Sequence, residues 1–155
     1  MSNHSDEDGT LGAILNRPLG KKLIQLDDQF KHFALGQAEV YDGGPVEREK
    51  LIIAAWDWRD TSDSFRLYFG IDINKAESLR KENENIHIAC FLGHSGWSPG
   101  QLEDELKLDS WVVSNLNLDL FEQMNDKAKC WKSAISGISD EMKLLADAPE
   151  KPWRN

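Results

Sequence analysis

The sequence contains only two cysteines, Cys90 and Cys130, and no uncharged apolar run that reaches the length of a membrane span. A small disulfide-stabilised fold needs several cysteine pairs, so that class of protein is excluded. The polar, acidic beginning of the chain also lacks the apolar segment of a signal peptide. These absences predict a cytoplasmic protein that has free thiols and does not associate with a membrane.

Basic residues are also few, since 18 Lys and Arg stand against 27 Asp and Glu and the formal net charge is −9. Proteins that bind nucleic acid usually gather Lys and Arg, which displace counterions from the phosphates. Here the basic residues are scattered along the chain, so direct binding to DNA or RNA is disfavoured. A transcriptional regulator that contacts nucleic acid directly is kept only as an alternative hypothesis.

The chain has 155 residues and is 40% hydrophobic, which suits a single domain, residues 1–155, with a proper core. Apolar runs that alternate or are rich in β-branched residues predict strands. Residues 51–56 and 65–69 are expected to pair antiparallel, with one face of 65–69 covered. Helical spacing predicts helices at 19–35 and 73–82, and helical structure from residue 116 onward. The mixture indicates an α/β (α+β) fold, and the other predicted strands are 10–16, 38–41, 86–92 and 111–113.

One stretch, residues 90–106, has the order strand, glycine-rich turn and helix, and reads CFLGHSGWSPGQLEDEL. Ser98, Pro99 and Gln101 fit a capping box, with Ser98 as the N-cap and Gln101 reaching back to it. The helix end could bind an anion, but a satisfied structural cap is the more economical interpretation. We therefore expect the turn itself, Gly93 to Trp97, to carry any function.

A nucleophilic serine is the first hypothesis for this turn, because G-H-S-G follows a strand as in the G-x-S-x-G elbow of α/β-hydrolases. Trp97 stands where the elbow has its last glycine, and no histidine follows Ser95 in the chain to act as a base. A serine hydrolase using Ser95 is therefore an alternative, and no catalytic residue is assigned.

A metal site is a second hypothesis, with His87, Cys90 and His94 as ligands. His87 and Cys90 are separated by an odd number of residues on one strand, so their side chains point to opposite faces. Two cysteines also give no recognised zinc spacing. No metal ligand or cofactor is predicted.

Rigid loops between firm strands commonly carry binding sites, and a second such loop, Asp42 to Val46, contains paired glycines and a proline. The leading hypothesis is a non-enzymatic protein that binds a small molecule or a protein partner where the two loops meet. Trp97 is either a stacking surface for that ligand or a lid over the core. The candidate surface consists of Asn16, Arg17, Gly43, Gly44, Pro45, Gly93, His94, Ser95, Gly96, Trp97 and Gln101.

Three blocks, GAILNRP at 12–18, GGPV at 43–46 and GHSGWSPGQLE at 93–103, resemble the YqgE/AlgH family of bacterial proteins when taken together. Trp111, Trp131 and the terminal PWRN at 152–155 extend the resemblance over nearly the whole chain. It implies a bent mixed sheet, partly closed into a small barrel and surrounded by helices. Family members have been labelled transcriptional regulators, but no activity is established for the family as a whole.

Two departures from the family pattern bear on function. Family members begin with a further strand, so this chain is expected to lack it and to self-associate through an exposed sheet edge. The family's turn usually carries tyrosine where His94 stands, and accepts alanine where Ser95 stands. The resemblance therefore argues against a general nucleophilic role for the Ser95 hydroxyl.

Overall fold

The computed structural model of the protein describes residues 9–59, 64–116, 118–136, 138, 139, 142 and 144. These residues form two compact units. The first unit is Thr10–Gly96, and the second consists of Gly9 with the described residues from Trp97 onward. In the part of the chain that is described, no helix is long and apolar enough to cross a membrane.

The first unit is built on a six-stranded mixed sheet, which confirms the predicted α/β (α+β) class. Its strand order is β2-β3-β6-β4-β5, and β1 pairs with β6 outside this path. The β3–β6 pair is parallel, whereas β2–β3, β4–β5 and β4–β6 are antiparallel. The strands are β1 Thr10–Gly12, β2 Pro18–Lys22, β3 Glu39–Asp42, β4 Val46–Arg59, β5 Ser64–Ile71 and β6 His87–Trp97.

The sheet is open, so the partial barrel implied by the family resemblance does not form among the described strands. The order ends at β2 and β5, and these two edge strands do not pair with each other. β2 has only five residues, and its register with β3 shifts between Pro18 and Lys21.

The helix predicted over residues 19–35 is wrong. β2 occupies the first part of this segment, and three short 3-10 helices follow, Leu23–Gln25, Asp28–His32 and Ala34–Gln37. The Asp27 carboxylate accepts a hydrogen bond from the Gln29 backbone at 2.8 Å and so begins a new helical turn. Successive 3-10 turns reproduce the apolar spacing of a helix, and they bury Leu23 and Leu35 completely.

The core lies between these 3-10 helices, the central strands and helix α1, Ile73–Glu82. Asp72 caps α1 by accepting from the Lys75 backbone at 2.9 Å, and Ala76 and Leu79 are buried. The completely buried residues of the core cluster are Leu23, Leu35, Val40, Ala76 and Cys90.

Three strand predictions in this sheet are confirmed and two need correction. The predicted strands 38–41, 51–56 and 86–92 lie in β3, β4 and β6. The predicted buried strand 10–16 shrinks to β1, where Leu11 is 60% exposed. β5 pairs antiparallel with β4 as expected, but Leu67 and Phe69 remain exposed rather than covered.

In the second unit, the helices whose bounds lie within the described residues are α2 Gln101–Lys107, α3 Leu118–Glu122 and α4 Lys127–Ser136. The last two confirm the helical structure predicted after residue 116, and they bury Met124, Cys130 and Ile135. The predicted strand at 111–113 is wrong, because this exposed segment is not a strand and pairs with no strand in the described part of the chain. The family-like tail at 152–155 lies outside the described residues.

Candidate functional site

Nine of the eleven candidate residues lie in the first unit, and Trp97 and Gln101 lie in the second. In the first unit the two glycine-containing segments do meet. The Gly43 backbone donates to the Leu92 carbonyl at 2.8 Å, and Val46 is paired with His94 across β4 and β6. The sequence-based pairing of these segments thus has a physical basis in the sheet.

The two segments meet backbone to backbone and leave no space between them. A Cβ atom added to Gly44 would overlap the backbone of His94, and one added to Gly43 would overlap the carbonyl oxygen of Gly93. Gly93 has φ +71° and is equally crowded by the Gly44 carbonyl. Glycine is required here for close approach, so the meeting point is a packed junction and not a pocket.

Asn16 and Arg17 reach the same junction through the loop after β1. The Asp42 backbone donates to the Arg17 carbonyl at 2.9 Å, and the Ile14 backbone donates to the Gly43 carbonyl at 3.0 Å. Asn16 is half-buried, whereas the Arg17 side chain is exposed. The loop therefore forms one wall of the junction and leaves the Arg17 charge at its rim.

The glycine-rich turn expected at residues 93–97 is a continuation of strand β6. A nucleophile elbow needs a sharp strand-to-helix turn at its serine, and Ser95 lies within extended backbone. Neighbouring residues of a strand point to opposite faces, so His94 and Ser95 are directed apart. The geometry that would activate the Ser95 hydroxyl is absent from this strand.

His94 is the most unusual polar residue of the junction. It is 7% exposed, and its Nδ1 has no hydrogen-bond partner among the described residues. The nearest carboxylate is that of Glu47, whose Oε2 lies 3.8 Å from Nδ1. A buried polar atom without a partner generally calls for a ligand, a water or an ion.

Glu47 was not identified from the sequence, although the structure places it beside His94. It adopts φ +47°, which is rare for a residue other than glycine, asparagine or aspartate. Lys50 donates to its carboxylate at 3.0 Å, and this hydrogen bond is the main cause of a lowered Glu47 pKa. Arg48 of β4 and Asp42 of β3 form a further ion pair at 3.6 Å. Glu47 therefore stays anionic beside the His94 imidazole.

In the second unit, Trp97 and Gln101 belong to a cluster centred on Glu105. The Glu105 carboxylate accepts from the Trp111 indole at 2.7 Å, the Trp97 indole at 3.1 Å and the Gln101 amide at 2.9 Å. These donors, Trp111 first, lower the Glu105 pKa. The two indoles meet edge to face with centroids 5.8 Å apart. Trp97 is therefore held against helix α2, and its contact with Trp111 was not predicted from the sequence.

The cap of α2 agrees only in part with the predicted capping box. The Gln101 side chain does reach back and accept from the Ser98 backbone at 3.0 Å. The N-cap position, however, is Gly100 in the left-handed conformation, and no side chain caps the helix there. The reason is that the turn through Pro99 and Gly100 delays the start of the helix to Gln101.

A separate cleft of about 350 Å³ lies in the first unit, away from all the candidate residues. Its walls come from the 3-10 helix Ala34–Gln37, the end of α1 and the start of β6. Arg80, Glu84 and His87 give it a polar rim. In the described parts of the chain, no group of three or more His, Cys, Asp or Glu side chains is arranged to hold a metal.

Comparison with known proteins places the chain in a family. A family model described as AlgH-like matches residues 1–143. The chain is 30% identical to the UPF0301 protein of Chlorobium phaeobacteroides, over 97% of this chain and 81% of that protein. It is 35% identical to a UPF0301 protein of an Azoarcus species, over 77% of this chain and 68% of that protein.

Two solved structures share the fold. The solution structure of the AlgH protein from Pseudomonas aeruginosa has a TM-score of 0.61 and 20% identity, and the match covers 94% of this chain and 80% of that one. A crystal structure from Corynebacterium diphtheriae has a TM-score of 0.65 and 18% identity, with 94% and 79% covered. At this level of identity the two structures establish a common fold and nothing more.

Proposed function

We propose that this chain, which belongs to the AlgH-like family, acts in the cytoplasm as a binding protein for a partner protein. Family membership confirms the assignment made from the three sequence blocks. The relatives carry names that state no activity, so the proposal rests on the junction in the first unit. We call its exposed rim the junction face, formed by Leu11, Arg17, Pro45, Val46 and Gly96.

The proposal rests on one observation: a tightly packed backbone lies beside exposed apolar side chains. Leu11 is 60% exposed and Val46 is 40% exposed. Gly96 lies beside Leu11, because a Cβ added to Gly96 would stand 4.0 Å from a Leu11 methyl group. A rigid surface with apolar residues and a rim charge binds a protein at low entropic cost. The packed glycines leave a small molecule no cavity between the segments.

His94 supports the same proposal from beneath the face. Its Nδ1, which has no hydrogen-bond partner among the described residues, costs stability, by about 1–3 kcal/mol for a buried group of this kind. A polar group from a partner that displaces the Glu47 side chain would reach this nitrogen and recover the cost. The buried histidine is then a feature of recognition rather than of folding.

The hydrolase alternative is disfavoured by the strand geometry at Ser95. It makes a clear prediction, because a fluorophosphonate probe labels activated serines. We expect the probe to label the wild type no more strongly than Ser95→Ala. Regulation by direct contact with nucleic acid is disfavoured by the net charge of −9. Any regulatory role would then be indirect, through the bound protein.

Photo-crosslinking tests the proposal. A photoreactive amino acid at position 46 should trap one dominant partner in cells of the native host, and Leu11→Asp should abolish the crosslink. Leu19→Asp is the matched control, because Leu19 is an exposed leucine on β2. Equal loss in both variants, or crosslinks to many unrelated proteins, would contradict the proposal.

A small-molecule ligand is tested separately by thermal shift with nucleotides, sugars and metabolites. A ligand at a hundred times its Kd would raise the Tm of a chain of this size by roughly 5–11 °C. We expect that no compound will raise the Tm of the wild type and fail to raise that of His94→Leu or Trp97→Ala. A ligand whose shift is lost in His94→Leu or Trp97→Ala would replace the protein partner with that small molecule.

A further inference from the structure

The cleft in the first unit has an apolar floor and shares no residue with the junction face. Its volume, about 350 Å³, is at the lower end of the range for small-molecule sites, roughly 300–1,000 Å³. Leu35, which lines the floor, belongs to the buried core cluster, and Ala38 and Ile88 pack against that cluster. The floor therefore offers an apolar surface to a ligand of the size of a small metabolite.

The walls of the cleft are held in place by contacts within the first unit. The Leu35 backbone donates to the Glu77 carboxylate at 2.8 Å, which joins the 3-10 helix Ala34–Gln37 to α1. On the β6 side, the His87 ring stacks on the Trp56 indole, with centroids 5.9 Å apart and planes inclined by 7°. Because these walls are already ordered, a ligand does not have to order them when it binds.

Two opposite charges on the rim of the cleft do not neutralise each other. Arg80 and Glu84 are four residues apart, a spacing at which opposite charges pair on a continuous helix. Helix α1 ends at Glu82, however, and Asn83 has extended backbone with φ −144°, so Glu84 leaves the helix. Both side chains line the cleft, and within the described residues neither forms an ion pair or a hydrogen bond. A guanidinium and a carboxylate are thus both available to a ligand.

We propose that the cleft binds a free α-amino acid with an apolar side chain. The carboxylate of this ligand pairs with Arg80, its ammonium pairs with Glu84, and its side chain lies on the floor beside Ile88. Each charge of the ligand then has an opposite charge in the site. A phosphorylated ligand brings about two negative charges to a single guanidinium, and Glu84 repels it.

An NMR titration of the full chain with L-leucine tests the site. We expect the backbone amides of residues 34–38 and 86–88 to shift, with a saturating dependence on leucine. Glycine, which has no apolar side chain, should bind about tenfold more weakly, because it leaves the floor uncovered. If these amides do not shift up to the solubility limit of leucine, or if glycine binds as tightly, the proposal is overturned.

Two charge variants, combined with two leucine analogues, test the orientation of the ligand. Arg80→Gln should weaken L-leucine and isocaproate, which is leucine without its amino group, by about tenfold, because both use the guanidinium. It should leave isoamylamine, which is leucine without its carboxylate, within about twofold. Glu84→Gln should do the reverse, weakening L-leucine and isoamylamine and sparing isocaproate.

Lys81→Gln and Glu82→Gln are the matched controls, because they remove exposed charges of α1 that do not line the cleft. Neither should change the affinity for L-leucine by more than about twofold. Unchanged circular dichroism will show that all four exposed variants fold. An equal effect on both analogues, no effect in either charge variant, or a similar loss in the controls contradicts the proposal. The photo-crosslink at position 46 is unaffected by these results, since the cleft and the junction face have no residue in common.

Discussion

The two halves of residues 90–106 are held in place by different kinds of contact. Residues 90–96 lie in β6, where Cys90 and Phe91 are buried and Gly93 packs against the backbone of Gly44 and Val46. Residues 97–106 are held mainly by side chains, with Glu105 accepting from two indoles and one amide. The packing of the first half requires that Gly93 has no side chain. The packing of the second half requires the carboxylate of Glu105.

This difference predicts which substitutions should lower the free energy of unfolding most. Close backbone packing has no slack, so an added methyl group must displace the main chain. Hydrogen bonds to an exposed carboxylate can be replaced by hydrogen bonds to water, so their loss changes local geometry more than folding. The predictions below test this contrast, beginning with the largest effect.

Gly93→Ala should destabilise the protein by about 2–5 kcal/mol, because it adds left-handed strain to a backbone clash. Gly20→Ala is the matched control, since Gly20 has φ +64° but nothing within 4 Å of an added Cβ. We expect this variant to lose only about 1–2 kcal/mol, from the positive φ alone. Urea denaturation measures both. Equal losses would mean that the junction is not tightly packed.

His94→Leu should leave the free energy of unfolding unchanged or raise it by up to about 1 kcal/mol. The substitution removes a buried nitrogen that has no hydrogen-bond partner among the described residues. His32→Leu, at an exposed histidine, should stay within about 0.5 kcal/mol of the wild type. A loss of more than about 1 kcal/mol in His94→Leu alone would show that Nδ1 is satisfied, for example by a bound water.

The sequence predicted most of the sheet and the order of its segments, for identifiable physical reasons. Long β-branched or alternating runs, such as 51–56 and 86–92, form strands here because neighbouring strands pair with them. It failed at 19–35, because Gly20 and the Asp27 cap divide the segment into short turns with the apolar spacing of one helix. It also failed at 111–113, because a β-branched run becomes a strand only where a partner strand lies beside it.

The candidate site was predicted less completely. The sequence predicted that residues 43–46 and 93–96 lie together. It predicted a turn at 93–97, however, because closely spaced glycines look the same in a sequence whether they form a turn or lie in a strand. The pairing of Val46 with His94 shows that β6 continues beyond Leu92. The spacing of Gln101 and Glu105 is typical of neighbours on a helix, which is a usable signal. No local pattern relates Glu47 to His94 or Trp111 to Glu105, since irregular backbone sets both contacts.

Glu105→Gln should change the environment of Trp97 and Trp111 and remove an acid-dependent signal. Because the folded-state pKa of Glu105 lies below its usual value of 4.5, its contribution is complete above that value. The contribution is lost as pH falls through the lowered folded-state pKa. Tryptophan fluorescence between about pH 6 and 3 should show this transition in the wild type and not in Glu105→Gln. Glu103→Gln, on the exposed side of α2, should keep it.

The alkylation rates of Cys90 and Cys130 should report separately on the opening of the first and the second unit. Burial raises the pKa of Cys90 to about 12, and burial also raises that of Cys130. Cys90 lies on β6, between β3 and β4, whereas Cys130 lies on the ten-residue helix α4. We expect iodoacetamide at about pH 8 to alkylate Cys130 first and Cys90 only when the sheet opens. Gly93→Ala should accelerate Cys90 alkylation by the factor that matches its loss of stability, while Cys130 keeps its rate. If Gly93→Ala accelerates the alkylation of both cysteines equally, the two units open together. The different kinds of contact in the two halves of residues 90–106 would then not give the two units different stabilities.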